Sequence, residues 1–236
     1  MLKKKKRIIA ILALLLLILA CFFYLYVSDY YKADEQARNV SLSDSLNIQT
    51  SKNLTTIYPD PAVDKQIGLI FYPGGKVESI AYLPLLSLLS QEGLTSVLVT
   101  MPFNLAVFNK DAAENVIEAV PTIENWFLAG HSLGGAMASS FVEDQGSTIK
   151  GLILLGAYPI NDADVPTLAI YGSEDIKLDI SKLEKTDQVI EIVGGNHAYF
   201  GNYGLQDGDG TATISRDEQQ EIAVTEIMNF IQRATK

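Results

Sequence analysis

The sequence predicts a doubly wound α/β domain, a mostly parallel sheet covered by helices on both faces, preceded by one transmembrane helix. Three observations lead there. From about Leu46 onward, short runs rich in Val, Ile, Leu and Tyr alternate with helical stretches. Most of these runs are continuously apolar, as strands buried on both faces are. Ahead of them, Ile8–Val27 is an unbroken apolar run of 20 residues.

At 1.5 Å per residue that run spans about 30 Å, one hydrocarbon core. Lys3, Lys4, Lys5, Lys6 and Arg7 precede it, and Ser28, Asp29 and two tyrosines follow. The positive-inside rule then keeps residues 1–7 in the cytosol and puts everything after Tyr30 outside the cell membrane. Phe22, Phe23, Tyr24, Tyr26, Tyr30 and Tyr31 gather at the outer end as an aromatic belt. A cleaved signal peptide needs a shorter apolar core of about 7–15 residues and an A-x-A-like site. Ala10, Ala13 and Ala20 are wrongly spaced for one. Ile18-Leu19-Ala20-Cys21 is a loose lipobox, but Leu19 is unusual there and a chain beginning at Cys21 would be oddly apolar. We read residues 8–27 as an uncleaved, single-pass signal anchor, the polar residues 28–45 as a juxtamembrane spacer, and 46–236 as one domain.

Within that domain the strand candidates, in order, are Asn53–Tyr58, Ile67–Tyr72, Ser96–Met101, Trp126–Ala129, Gly151–Gly156, Thr167–Tyr171 and Gln188–Val193. Helices fall between them at Ser79–Glu92 (stopped by Gly93), Asp111–Val120, Leu133–Glu143 and, briefly, Leu178–Leu183. Asp217–Arg233 closes the chain. Its Ser215-Arg-Asp-Glu218 is a capping box, and Ala223, Ile227, Phe230 and Ala234 share one face. Between the fifth and sixth strands Asn161–Val165 is too short to hold a lid, so no cap domain is expected and the site should be shallow and open.

Composition excludes several functions. Removing the five basic residues of the first seven leaves 13 Lys+Arg against 28 Asp+Glu, a net charge of −15, which disfavours nucleic acid or anionic lipid as partners. The only cysteine, Cys21, lies in the apolar run, and there are two histidines, His131 and His197. Disulfides, a thiolate metal site and a zinc cluster are therefore not expected, and no cofactor is implied. "LQDGDGTATISR" imitates a calcium loop, but in that register Leu205 and Arg216 occupy the first and last ligand positions. We expect no calcium there; the 201–210 segment should form one wall of the site.

The informative stretch is "NWFLAGHSLGGAMASS", residues 125–140. An apolar strand stops at Gly130, and a helix of small residues starts after Ser132. This is the context of a G-x-S-x-G nucleophile elbow, in which flanking glycines relieve a strained serine backbone and the helix N-terminus faces a developing oxyanion. The serine needs a base. His131 is adjacent on an extended segment, so its side chain should point to the opposite face and serve structure. His197, in the loop after the last strand, is the imidazole that remains. Asp175, at the end of "TLAIYGSED", is the orienting carboxylate, with Asp162 and Asp164 as fallbacks and Glu174 facing away. Oxyanion donors would be the N–H of Leu133 and, from "YPGGKV", that of Gly75, with Lys76 as the alternative.

With these residues the chain resembles the α/β-hydrolase superfamily, and within it small membrane-anchored bacterial hydrolases distantly related to dienelactone hydrolases and esterases. "FYPGGKV", "MPFNLAVF", "GHSLGG", "GLILLGAY", "YGSED" and "GGNHAYFGNYG" carry the resemblance over about residues 66–205. It implies a Ser–Asp–His hydrolase, carried onto Ser132, Asp175 and His197, acting on a small-molecule ester. Dienelactone hydrolases proper use a cysteine nucleophile, so their substrate does not transfer. An open site that cannot bury a long chain predicts esters of short acids, of roughly two to four carbons. The same triad would serve an acyltransferase with an alcohol acceptor, and the fold without a working triad would be a binding module. No obligate protein partner is evident.

Overall fold

The computed structural model describes residues 2–43, 45–145, 148–162, 164–184 and 186–236. It divides at Tyr30 into two compact units. The first holds α1 (Leu2–Ser28), of which Lys4–Ser28 is long and apolar enough to cross a membrane. Side chains from Ile8 to Tyr26 are exposed along it. A helix apolar all round requires an apolar surround.

The second unit, Tyr31–Lys236, begins with α2 (Glu35–Ser41), whose Asp34 caps it by accepting the Ala37 N–H at 3.0 Å. Eight strands follow: β1 (Asn47–Ser51), β2 (Leu54–Tyr58), β3 (Ile67–Tyr72), β4 (Leu94–Val99), β5 (Asn125–His131), β6 (Ile149–Leu155), β7 (Thr167–Gly172) and β8 (Gln188–Ile192). They form one sheet in the order β1-β2-β4-β3-β5-β6-β7-β8. The β1–β2 and β2–β4 pairs are antiparallel and the other five are parallel. Every residue of β3 and β4 is buried, which is why both read as continuous apolar runs. α3 (Leu83–Gln91) and α6 (Arg216–Ala234) join α2 in the core on one face; α4 (Ala112–Ala119) and α5 (Leu133–Gln145) cover the other. The fold is the doubly wound, mostly parallel sheet expected. Strand directions bring the ends of β3, β5, β6, β7 and β8 to one carboxyl edge.

Four elements differ from the sequence reading. β1 was not anticipated: Asn47–Ser51 is an edge strand with an almost wholly exposed, polar surface, so it carries no apolar signal. Ser79–Tyr82 is a 3₁₀ turn, and the α-helix starts at Leu83, with Pro84 in its first turn where a missing N–H is harmless. The link between β6 and β7 spans residues 156–166, longer than Asn161–Val165, and contains no helix among its described residues. Finally, the spacer assigned to 28–45 ends early. From Tyr31 on, the chain packs on the domain: Ala33 and Ala37 are buried, and Arg216 pairs with Asp34 at 2.7 Å. Two small alanines in a polar stretch give no amphipathic stripe to read.

Candidate active site

β5 is flanked by β3 and β6, so its end is central. There Ser132 adopts φ 50°, a left-handed conformation rare for a side chain other than glycine. Its N–H is held by the Leu155 carbonyl at 3.0 Å, and α5 begins at the next residue. The turn is tight enough that a Cβ at Gly130 would sit 2.6 Å from the Gly134 carbonyl and the Gly135 nitrogen, and one at Gly134 would overlap the Tyr72 and Pro73 carbonyls. Both positions are therefore closed to any side chain.

The loops after β7 and β8 bring Asp175 and His197 together. Asp175 Oδ2 accepts from His197 Nδ1 at 2.8 Å, and both side chains are buried. The other oxygen, Oδ1, accepts the N–H groups of Lys177 and Leu178 at 3.0 and 3.2 Å, so the carboxylate is held from both sides. Gly156, at φ 52°, lies against this pair: a Cβ there would be 2.9 Å from His197 Nδ1. Glu174 accepts from the Ser173 hydroxyl instead. Ser132, Leu133, Gly156, Lys177, His197 and Gln206 line one cleft of about 560 Å³. No hydrogen bond joins the Ser132 hydroxyl to His197 among the described residues. Such contacts are often long until substrate binds.

The two alternatives in the Gly-Gly-Lys turn separate clearly. The Lys76 N–H donates to the Asn104 carbonyl at 2.8 Å. Lys76 is thus not available as a donor, whereas no acceptor among the described residues takes the N–H of Gly75 or Leu133. These two residues are neighbours: a Cβ on Gly75 would lie 2.8 Å from Leu133 Cδ2.

His131 is buried, yet it lies closer to the site than the alternation of an extended segment suggests. Its ring is 4.6 Å from that of His197. Nε2 lies 3.0 Å from the His197 carbonyl, which can only accept, so Nε2 carries the proton. Nδ1 then accepts from Tyr82 Oη at 2.8 Å, and that oxygen accepts the Gly74 N–H at 3.0 Å. Burial, and next the charge of His197 when protonated, hold His131 well below the ordinary imidazole range. His131 is thereby a neutral strut between the Gly74 turn and the His197 loop.

Sequence reasoning missed Tyr82 and Asp209. Asp209 accepts the N–H groups of His197 (3.2 Å), Ala198 (2.8 Å) and Gly210 (2.9 Å), which clamps the short turn that carries the imidazole. Gln219 holds the same turn from α6, its amide bonded to the Asn196 N–H at 2.9 Å and the Asn196 carbonyl at 2.8 Å. The 201–210 segment does line the cleft, through Gln206. A hint of Asp209's role lay in the acidic, glycine-rich spacing that imitates a calcium loop.

Comparison with known proteins bears on the family and the fold. The family model described as the alpha/beta hydrolase family matches residues 68–221, and the chain belongs to that family. No curated protein matches it. Among solved structures, a membrane phospholipase A, described as a bacterial virulence factor, aligns at TM-score 0.59 and 12% identity, covering 98% of this chain and 99% of its own. The monoacylglycerol lipase of Paleococcus ferrophilus aligns at 0.58 and 14%, covering 77% of this chain and all of its own (100%). The dienelactone hydrolase of Anabaena variabilis aligns at 0.53 and 16%, covering 78% and 98%. At these identities the likeness is one of fold.

Proposed function

We propose that the chain is a serine esterase that transfers an acyl group to water through a covalent acyl-enzyme. The observation that carries this reading is the buried 2.8 Å Asp175–His197 bond in the cleft that holds Ser132 on its strained turn. His197 takes the Ser132 hydroxyl proton as Oγ bonds to the ester carbonyl carbon. The N–H groups of Gly75 and Leu133 receive the oxyanion, with the N-terminus of α5 behind them. The intermediate collapses, His197 returns the proton to the leaving alcohol, and water repeats the sequence to release the acid. Asp175 fixes the imidazole tautomer and offsets its positive charge. The names of the structural neighbours, a lipase and a phospholipase among them, support an ester as substrate. α1, with its basic leader Lys3–Arg7, supports an anchor that leaves the domain on the outer side of the membrane.

Ser132→Ala is expected to abolish fluorophosphonate labelling and to lower p-nitrophenyl acetate hydrolysis by at least about a thousandfold, since triad members act as a unit. The elbow tolerates the small side chain, so circular dichroism should be unchanged. Full labelling of the Ser132→Ala chain would overturn the reading.

A further inference from the structure

Besides Ser132 and His197, the polar side chains lining the cleft are Tyr158, Lys177 and Gln206, one from each of the loops after β6, β7 and β8. Each has a hydrogen to donate. Lys177 is exposed and pairs with no acid among the described residues. Its ammonium stands against the 201–210 wall, where a Cβ on Gly208 would lie 3.5 Å from Nζ. Gln206 Oε1 accepts from Tyr203 Oη at 3.0 Å, which leaves the amide NH₂ group without an acceptor among the described residues. Tyr158 Oη accepts from Lys182 Nζ at 3.0 Å, so its own hydrogen is free to serve another group. The Lys182 ammonium, 4.5 Å from the ring centroid, polarises that phenol.

No carboxylate lines the cleft among the described residues. This runs against composition, since acids outnumber bases 28 to 13 after residue 7. The acids of the same loops are occupied or turned to solvent. Asp175 is taken by His197, Asp209 by three backbone N–H groups and Glu174 by the Ser173 hydroxyl. Asp207 is exposed and forms no ion pair among the described residues, and Asp179, 3.8 Å from Lys182 Nζ, offsets part of that charge. A substrate entering the cleft displaces water from the three donors. A neutral, apolar one leaves them unpaired, whereas an anion accepts from all three in charge-assisted bonds. A few converging polar groups beside apolar Leu133, Ala157 and Leu178 are the means by which a cleft selects its ligand.

We propose that the ester cleaved at Ser132 carries an anionic group, a carboxylate or a phosphate, held by Lys177, Tyr158 and Gln206. The substrate assignment rests on the serine esterase reading above; the anion site does not. The net charge of −15 after residue 7 repels an anion at long range, so recognition is local and depends on these three side chains. The reading also fits a short acyl chain. A cleft open to water gains little from added methylenes, and a charged end supplies the selectivity in their place. Water is the co-reactant: the acyl C–O bond breaks, and the anionic group leaves unchanged on the released acid or alcohol.

The test uses the full chain in detergent and two matched pairs of esters, followed by titration of the released acid at constant, neutral pH. Ethyl hydrogen succinate is set against ethyl butyrate, and 2-acetoxyethyl phosphate against 2-acetoxyethanol. The parent is expected to prefer the charged member of at least one pair by about tenfold or more in kcat/KM. A preference in the first pair places the anion on the acid side, one in the second on the alcohol side. Lys177→Met is expected to lower that ratio about tenfold or more and Tyr158→Phe about threefold or more, while Lys177→Arg, which keeps the charge, retains most of it. Each ratio is taken on one sample, so a variant that folds less well slows both esters and leaves the ratio readable. Equal cleavage within both pairs, or a ratio unmoved by Lys177→Met, overturns the proposal. A parent inert to all four esters and to fluorophosphonate overturns the esterase reading. Saturation-transfer NMR of ethyl phosphate and succinate then decides the anion site: transfer that falls about threefold or more in Lys177→Met supports it, and equal transfer overturns it.

Discussion

Two imidazoles lie within 4.6 Å of each other at this site, and they are held in opposite roles. His197 is paired with the buried Asp175 carboxylate, whereas His131 is enclosed by Tyr82 and the His197 backbone, with no acid bonded to it among the described residues. Native His131 therefore binds a proton more weakly than the same ring in the unfolded chain. Below the ordinary imidazole pKa of 6.5 the unfolded state takes up a proton that the native state refuses. Stability from this group is complete above that pH and is lost as pH falls through it. Compared with a His131→Gln variant, the parent is expected to lose up to about 1.4 kcal/mol per pH unit below 6.5, measured by urea unfolding in detergent. Tyr82→Phe leaves both the Gly74 N–H and His131 Nδ1 without their buried partner, which should cost about 1–3 kcal/mol in the same assay. Ser132, Asp175 and His197 were legible as candidates because each follows a strand, one, three and five residues after the ends of β5, β7 and β8. Tyr82 was not, because its partner lies 49 residues away and no local pattern announces it.

At the scale of elements, the loop after β8 shows how a segment without regular structure is made rigid. Asp209 reaches back 12 residues to take the His197 N–H and holds two further N–H groups nearby. Asp209→Ala releases all three while leaving Ser132 in place. The expected result is a fall in kcat of about tenfold to a hundredfold at nearly constant KM, because a misplaced base weakens the chemical step more than binding. Asp209→Asn, which keeps one acceptor oxygen, should fall between. Steady-state kinetics with p-nitrophenyl acetate would show both, and an unchanged kcat for Asp209→Ala would remove Asp209 from the argument. The main strands and helices were readable from apolar runs and the capping box at Ser215. β1 was not, since an edge strand with the sequence Asn-Ile-Gln-Thr-Ser owes its conformation to pairing with β2 and not to burial.

For the whole molecule, the boundary of the folded unit at Tyr31 matters more than the first strand at Asn47 suggests. Ala33 and Ala37 sit in the same core as Tyr82 and Tyr203. Asn202 donates to Gln36 at 3.0 Å, and Arg216 pairs with Asp34. A chain beginning at Tyr31 is expected to unfold cooperatively at close to the parent Tm. One beginning at Leu46 uncovers this layer and should melt roughly 10 °C lower, at about 2–4 °C per kcal/mol lost for a domain of this size. Differential scanning calorimetry on the two truncations would decide it. The alternation of strands and helices made the domain visible in the sequence, whereas its N-terminal margin depends on contacts with residues up to 182 positions away.

The pairing of Tyr31 with the turn before α3 also makes the tether a mechanical element. Tension applied at Tyr30 passes through two backbone hydrogen bonds, of 2.8 and 2.9 Å, into Lys76 and Glu78 before it reaches any strand. The residue next to this load point is Gly75, the proposed oxyanion donor. A pull on Tyr31 would thus load the turn that holds Gly75 and Lys76 directly through these two bonds.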